Sequence, residues 1–179
     1  MWSKIVSKLS LQRAEEQLVL GAGRRIDFKI TTDSAFGGKS TARFDDNKFF
    51  RGELVGEIPF AAIRAPLPKD VQDIGDFRGV NLRVRTRDKR NFSLNLQTPS
   101  FFQQDLYQAF IVLPQPNKFY ELSLPFKDFL LTGKGRVREV QRELDTHTLT
   151  TIGVSVGGQE SQPGTFELEI DYIKWVKEV

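Results

Sequence analysis

The spacing of apolar residues, more than any motif, limits what this chain can become. Between Gly79 and Thr86, Val80, Leu82 and Val84 alternate with Asn81, Arg83 and Arg85. Between Thr165 and Asp171, Phe166, Leu168 and Ile170 alternate with Glu167, Glu169 and Asp171. A repeat of two sends successive side chains to opposite faces of an extended strand, one face buried and one wet, which is the habit of antiparallel sheets. Similar short runs bounded by Gly, Pro, Asn and Asp recur at 25–30, 40–45, 48–56, 58–64, 91–97, 106–113, 118–124 and 149–156. Strands in that number, with no helical pattern between them, predict an all-β, two-sheet antiparallel β-sandwich. The long links at 65–76 and 131–147 read as crossings between sheets, which selects a jelly roll over a meander.

The 179-residue chain carries fifteen Phe, one Met and no Cys. Large stiff rings suit sheet faces, and the absence of cysteine removes disulfides, thiol nucleophiles and thiolate metal sites. A net charge of only +3, with both signs interspersed, is not that of a dedicated nucleic-acid binder, and no nucleic acid is expected as a partner. Residues 2–20 carry the chain's persuasive helical pattern, stopping at Gly21-Ala22-Gly23. The expected organisation is therefore an N-terminal helical segment, 1–22, and a β-sandwich domain, 23–179. Lys4, Lys8 and Arg13, with no acid before Glu15, have the basic amphipathic character of a mitochondrial targeting segment. The apolar side of Trp2, Ile5, Val6 and Leu9, followed at once by Glu15 and Glu16, fits an ordinary N-terminal helix better, one able to lie on a membrane surface or a partner.

Two stretches imitate catalytic motifs. Gly38-Lys39-Ser40 ends like a phosphate-binding P-loop, but Asp33 stands where the first glycine belongs and Thr41-Ala42-Arg43-Phe44-Asp45 reads as a strand, not the required helix. Gly37 and Gly38 read instead as a backbone bend between the strand ending near Ile30 and the one beginning near Ser40. Gly153-Val154-Ser155-Val156-Gly157 has the letters of a nucleophile elbow, yet His147, the sole histidine, precedes Ser155 and no helix follows. A strand with Ser155 facing away from Val154 and Val156 explains it.

Three further features are open. Arg83, Arg85, Arg87, Lys89 and Arg90 form either a basic patch or a wet strand face whose arginines pair with Glu167 and Glu169. Glu167, Glu169 and Asp171 offer oxygen ligands for Ca²⁺ together with Asp33 or Asp45, although no Asp/Asn/Gly-rich loop supplies the rest, and plain strand exposure is the better account. Phe101-Phe102, after Thr98-Pro99, is either an exposed partner surface or a cap on one end of the sandwich.

In order along the chain, Thr32-Asp33-Ser34, Gly37-Gly38-Lys39-Ser40, Phe50-Arg51-Gly52-Glu53-Leu54, Asp105-Leu106-Tyr107-Gln108-Ala109-Phe110, Leu124-Pro125-Phe126-Lys127-Asp128-Phe129, Thr151-Ile152-Gly153 and Gly164-Thr165-Phe166-Glu167-Leu168-Glu169-Ile170-Asp171-Tyr172-Ile173 resemble the complex I intermediate-associated protein 30 family. The resemblance implies a galactose-binding-like jelly roll. It also implies a non-enzymatic binding protein that assists assembly of respiratory complex I (NADH:ubiquinone oxidoreductase) on a membrane-arm intermediate, leaving afterwards or staying as an accessory subunit. Implied partners are complex I subunits or assembly intermediates and other assembly factors, with peripheral membrane contact, in the mitochondrial matrix beside the inner membrane. No catalytic, cofactor-binding or metal-binding residue is assigned, and no cofactor is expected. The candidate partner-binding residues are Asp33, Ser34, Gly37, Gly38, Lys39, Ser40, Arg83, Arg85, Arg87, Phe101 and Phe102. The alternative is a carbohydrate-binding module of jelly-roll type, for which Phe101, Phe102, Gln103 and Gln104 would serve as platform and polar contacts.

Overall fold

The computed structural model describes residues 15–100, 105–158 and 161–179. Its strands are β1 (Glu16–Gly21), β2 (Lys29–Thr32), β3 (Thr41–Asp45), β4 (Phe49–Leu54), β5 (Phe60–Pro66), β6 (Gly79–Thr86), β7 (Phe92–Gln97), β8 (Asp105–Ile111), β9 (Tyr120–Pro125), β10 (Leu130–Gly133), β11 (Arg136–Val137), β12 (Thr151–Gly157) and β13 (Gly164–Val176). They form a six-stranded sheet, ordered β3-β4-β13-β6-β9 with β1 also against β13, and a seven-stranded sheet, ordered β11-β10-β8-β7-β12-β5-β2. The expected two-sheet antiparallel sandwich is what the chain forms.

Period two decides what each strand buries. In β6, Val80, Leu82 and Val84 are buried and Asn81, Arg83 and Arg85 are not. In β13, Phe166, Leu168 and Ile170 face the core, and a register shift between Ile170 and Tyr172 then moves the buried set to Ile173 and Trp175. A bulge adds one residue on one strand and so reverses the phase of everything after it. The phenylalanines bind the layers together: Phe50 and Phe166 of one sheet and Phe92 of the other meet edge to face, with centroids 5.0 to 6.3 Å apart. Such pairs contribute about 0.5–1.5 kcal/mol each beyond their burial. Trp175 is fully buried and donates its indole N–H to the Val71 carbonyl at 3.1 Å.

Two expectations need correction. The helical pattern of 2–20 gives way over 16–21 to β1, which pairs with residues 172–176 of β13; residues 2–14 lie outside the described residues. β4 covers that edge of β13 only along 164–169, so β1 satisfies backbone groups that would otherwise face solvent. It also buries Val19 and Leu20 completely. Those two gains outweigh a weak helix propensity. Gly21-Ala22-Gly23 is accordingly a tight turn, with all three residues at positive φ and reciprocal backbone bonds between Gly21 and Arg24. The second correction concerns the links. Residues 65–76 do cross between sheets, but 131–147 joins β10, β11 and β12 of one sheet. It contains the β10–β11 hairpin, then passes over the end of the sandwich, where Leu144 and Leu149 are buried and Tyr107 donates to the Glu143 carbonyl at 3.1 Å.

Candidate functional site

The loop that carries Gly37-Gly38-Lys39-Ser40 takes the chain from the edge of one sheet to the edge of the other. It begins with a 3₁₀ turn, Asp33–Phe36, capped by the Thr32 side chain and closed by Gly37 at φ 85°. The Asp33 carboxylate, though negative, is buried. It accepts from the Ser40 N–H at 3.0 Å, the Ser40 hydroxyl and the Phe60 N–H at 3.1 Å. Ser40 Oγ in turn accepts from the Val55 N–H at 3.0 Å. Burial pushes the Asp33 carboxyl up, but these hydrogen bonds outweigh it and hold the group below its ordinary value. A Cβ on Gly38 would stand 2.1 Å from Asp33 Oδ1, so only glycine fits beside the carboxylate. The letters that imitate a P-loop are thus a clasp between β2, β3 and the β4–β5 loop, its anion supplied by the chain itself. Ser34, Lys39 and Phe36 remain outside, Phe36 at 82% exposure with its ring 6.4 Å from Phe60.

Arg83, Arg85 and Arg87 lie on the other sheet, and each has an acid. Arg83 meets Asp171, Arg85 meets Glu169, and Arg87 meets Glu167 at 2.7 Å. Lys48 adds a second contact to Glu169 at 2.8 Å, while Arg51 bridges Asp45 at 2.7 Å and Glu167 at 3.6 Å. Arg83 and Arg85 also stack on the Phe119 ring at 4.3 and 4.6 Å. Burial raises Glu169, and the hydrogen bonds from Lys48 and Arg85 more than reverse that, leaving it below the usual carboxylate range. This face is a self-neutralised ladder, as the pairing of Glu167 and Glu169 with the arginines anticipates. The Ca²⁺ arrangement does not form: Asp33 is held by Ser40 and Phe60, Asp45 by Arg43 and Arg51. No cluster of three potential ligands occurs among the described residues.

The outer face of the seven-stranded sheet is different in kind. A groove of about 1940 Å³ runs across it. Its floor is small or amide-bearing: Ala62, Ser93, Asn95, Gln97, Gln108, Gly153 and Ser155. Gln108 donates to Asn95 at 2.7 Å and Asn95 to Ser155 at 2.9 Å, a row crossing three adjacent strands. Ser155 faces away from Val154 and Val156, which are buried, so Gly153-Val154-Ser155-Val156-Gly157 is a strand with its serine in this row. Apolar side chains stand on both banks, Phe36 and Ile58 from loops on one side and Phe110, Leu130 and Val137 from β8, β10 and β11 on the other. Sequence reasoning missed the groove. The available signal was that outward positions of β7, β8 and β12 carry Ser, Asn, Gln and Gly where a merely solvated face would carry charge.

Of the sequence-predicted residues, Asp33 and Gly38 line one end of the groove, while Arg83, Arg85 and Arg87 sit on the opposite face of the sandwich. Phe101 and Phe102, with Gln103 and Gln104, lie outside the described residues.

The class defined so far is one of fold, a two-sheet antiparallel jelly roll with an open groove across one sheet. Among solved structures, the chain resembles the family 11 carbohydrate-binding module of Clostridium thermocellum in complex with a β-1,3-1,4-mixed-linked tetrasaccharide, at TM-score 0.61 and 11% identity over 90% of this chain and 95% of that one. It also resembles a family 30 carbohydrate-binding module, at TM-score 0.58 and 7% identity over 94% and 91%. At such identity the likeness is one of fold. The family model described as complex I intermediate-associated protein 30 matches residues 22–170, and the chain belongs to that family. Mitochondrial complex I intermediate-associated protein 30 of Drosophila melanogaster is 27% identical over 80% of this chain and 56% of its own length. The Mus musculus protein of that name is 28% identical over 80% and 50%. The chain therefore spans about half the length of the curated relatives it matches.

Proposed function

We propose that this protein is a non-enzymatic binding protein that assists assembly of respiratory complex I by holding a membrane-arm intermediate from the matrix side of the inner membrane. The observation that carries the reading is the family match over residues 22–170; the mitochondrial relatives support the compartment. The sandwich supplies a rigid template: two sheets share one hydrophobic core, so a partner seated on it meets a surface that costs little entropy to order. Contact falls to the exposed part of the loop, Ser34 and Lys39 with Phe36, and to the groove beside it. The arginines of β6 contribute less, because their charge is already matched within the chain. An oligosaccharide in the groove is the second reading, favoured by the amide row Gln108-Asn95-Ser155. The test is native electrophoresis of mitochondria containing the tagged full chain. The expected result is co-migration with a membrane-arm intermediate smaller than complex I. Co-migration with the mature complex as well would mark a retained accessory subunit, and migration with neither overturns the proposal.

A further inference from the structure

Charge is paired differently on the two outer faces. On the six-stranded sheet, Arg43, Lys48, Arg51, Arg83, Arg85, Arg87 and Lys174 each meet a carboxylate. Around the groove of the seven-stranded sheet, Arg64, Lys89, Lys134 and Arg136 have no ion pair among the described residues; of the lining acids, Asp88 pairs with Arg90 at 3.4 Å, Asp33 is buried and held by Ser40 and Phe60, and Glu57 is left over. The cations of the six-stranded sheet are thus engaged within the chain, and those around the groove are left to engage a partner.

The apolar surface collects at the same place. Of nine large apolar side chains exposed among the described residues, five line the groove: Phe36, Ile58, Phe110, Leu130 and Val137. Exposed apolar residues that converge on a polar-floored cleft, with charge at its rim, are the marks of a surface awaiting a partner.

We propose that the groove holds an extended segment of a partner polypeptide, apolar at its centre and flanked by acidic residues. The small floor residues Ala62, Gly153 and Ser155 let a backbone approach the sheet, and the hydroxyl and amides of Ser155, Asn95 and Gln108 are of the type that bonds peptide N–H and C=O groups. The banks receive apolar side chains, and the cations receive the flanking carboxylates. Three of the five bank residues, Ile58, Leu130 and Val137, are aliphatic and suit peptide side chains, while Phe36 and Phe110 stand apart from one another on opposite banks rather than forming the continuous aromatic platform on which nucleobases stack. The inference deepens the assembly reading and rests on it only for where the partner segment comes from.

The experiment has two arms. A random dodecapeptide library is selected against the purified full chain, and the recovered peptides are measured against Phe110→Ser and Arg64→Glu/Arg136→Glu variants, with Lys127→Glu, an exposed residue outside the groove, as control. Each variant is first matched to the parent in thermal melting. The two variants remove the bank and the charge separately, so failure of one to fold leaves the other informative. Expected are acidic, apolar-centred peptides whose affinity falls at least tenfold in both groove variants and holds in the control. Recovery of basic peptides, no enrichment, equal binding by the variants, or tighter binding of a mixed-linkage β-glucan tetrasaccharide or a single-stranded oligonucleotide overturns the proposal. The second arm runs the same variants on native gels. A groove variant that still joins the intermediate overturns the groove and leaves the assembly reading standing. If the parent chain joins no intermediate while the selection succeeds, the assembly reading falls and the groove remains.

Discussion

At the scale of single residues, the Asp33 clasp decides how the chain changes sheets. One buried carboxylate fixes Ser40, just before β3, and Phe60, the first residue of β5. Asp33→Ala strands buried N–H groups and should cost about 3 kcal/mol in urea unfolding. Gly38→Ala should cost on the order of 2 kcal/mol, because its Cβ would sit 2.1 Å from Asp33 Oδ1. The two substitutions share one cause, so the double variant should be more stable than the sum predicts, with a coupling of about 1 kcal/mol or more. Additive losses would show that the glycine is needed for some other reason. The sequence reading of this loop as a bend is sound, since Gly37-Gly38 before a strand signals one. That its acid would turn inward was not legible. An Asp directly after a strand reads as exposed unless its partners at 40 and 60 are known, and one of those is a backbone group twenty-seven residues away.

At the scale of elements, β1 and the charge ladder hold the six-stranded sheet together. Residues 16–21 have no strict alternation, and an apolar run beside a glycine turn looks the same whether helix or strand. What selects the strand is the uncovered edge of β13, a tertiary fact absent from local letters. Leu20 is wholly buried, so Leu20→Ala should lose about 2–5 kcal/mol. On a helix surface it would lose little, and a loss under about 0.5 kcal/mol would contradict the pairing. The ladder of β6 and β13, by contrast, was readable, because opposite signs fell on outward positions of two alternating strands. Its energetic centre is Glu169, whose side chain is 5% exposed. Asp33 and Glu169 both have carboxyl groups held below their ordinary values of 3.8 and 4.5. A depressed carboxylate contributes stability above its unfolded pKa, and that contribution is lost as pH falls through the folded one. The urea midpoint should therefore be level from pH 7 to about 5 and decline below about pH 4.5. Glu169→Gln should lower the neutral plateau and flatten the acid decline; an unchanged decline would remove Glu169 as a contributor.

At the scale of the whole molecule, the two outer faces divide the labour. One is an internally matched lattice of charge that keeps its sheet wet and unencumbered. The other gathers amides, apolar banks and unpaired cations into a groove. The sandwich itself was legible because period two survives in β5, β6 and β8. The groove was not, because it depends on β10 and β11, which lie inside a stretch that reads as a link, and on which strands become neighbours. The proposed role, binding during complex I assembly, is the point on which the functional reading depends. The most direct measurement is depletion of the protein from cells, followed by native electrophoresis of mitochondrial complexes and return of the full chain. The expected result is loss of mature complex I with accumulation of a membrane-arm fragment, reversed on return of the chain. Normal complex I after complete depletion would contradict it.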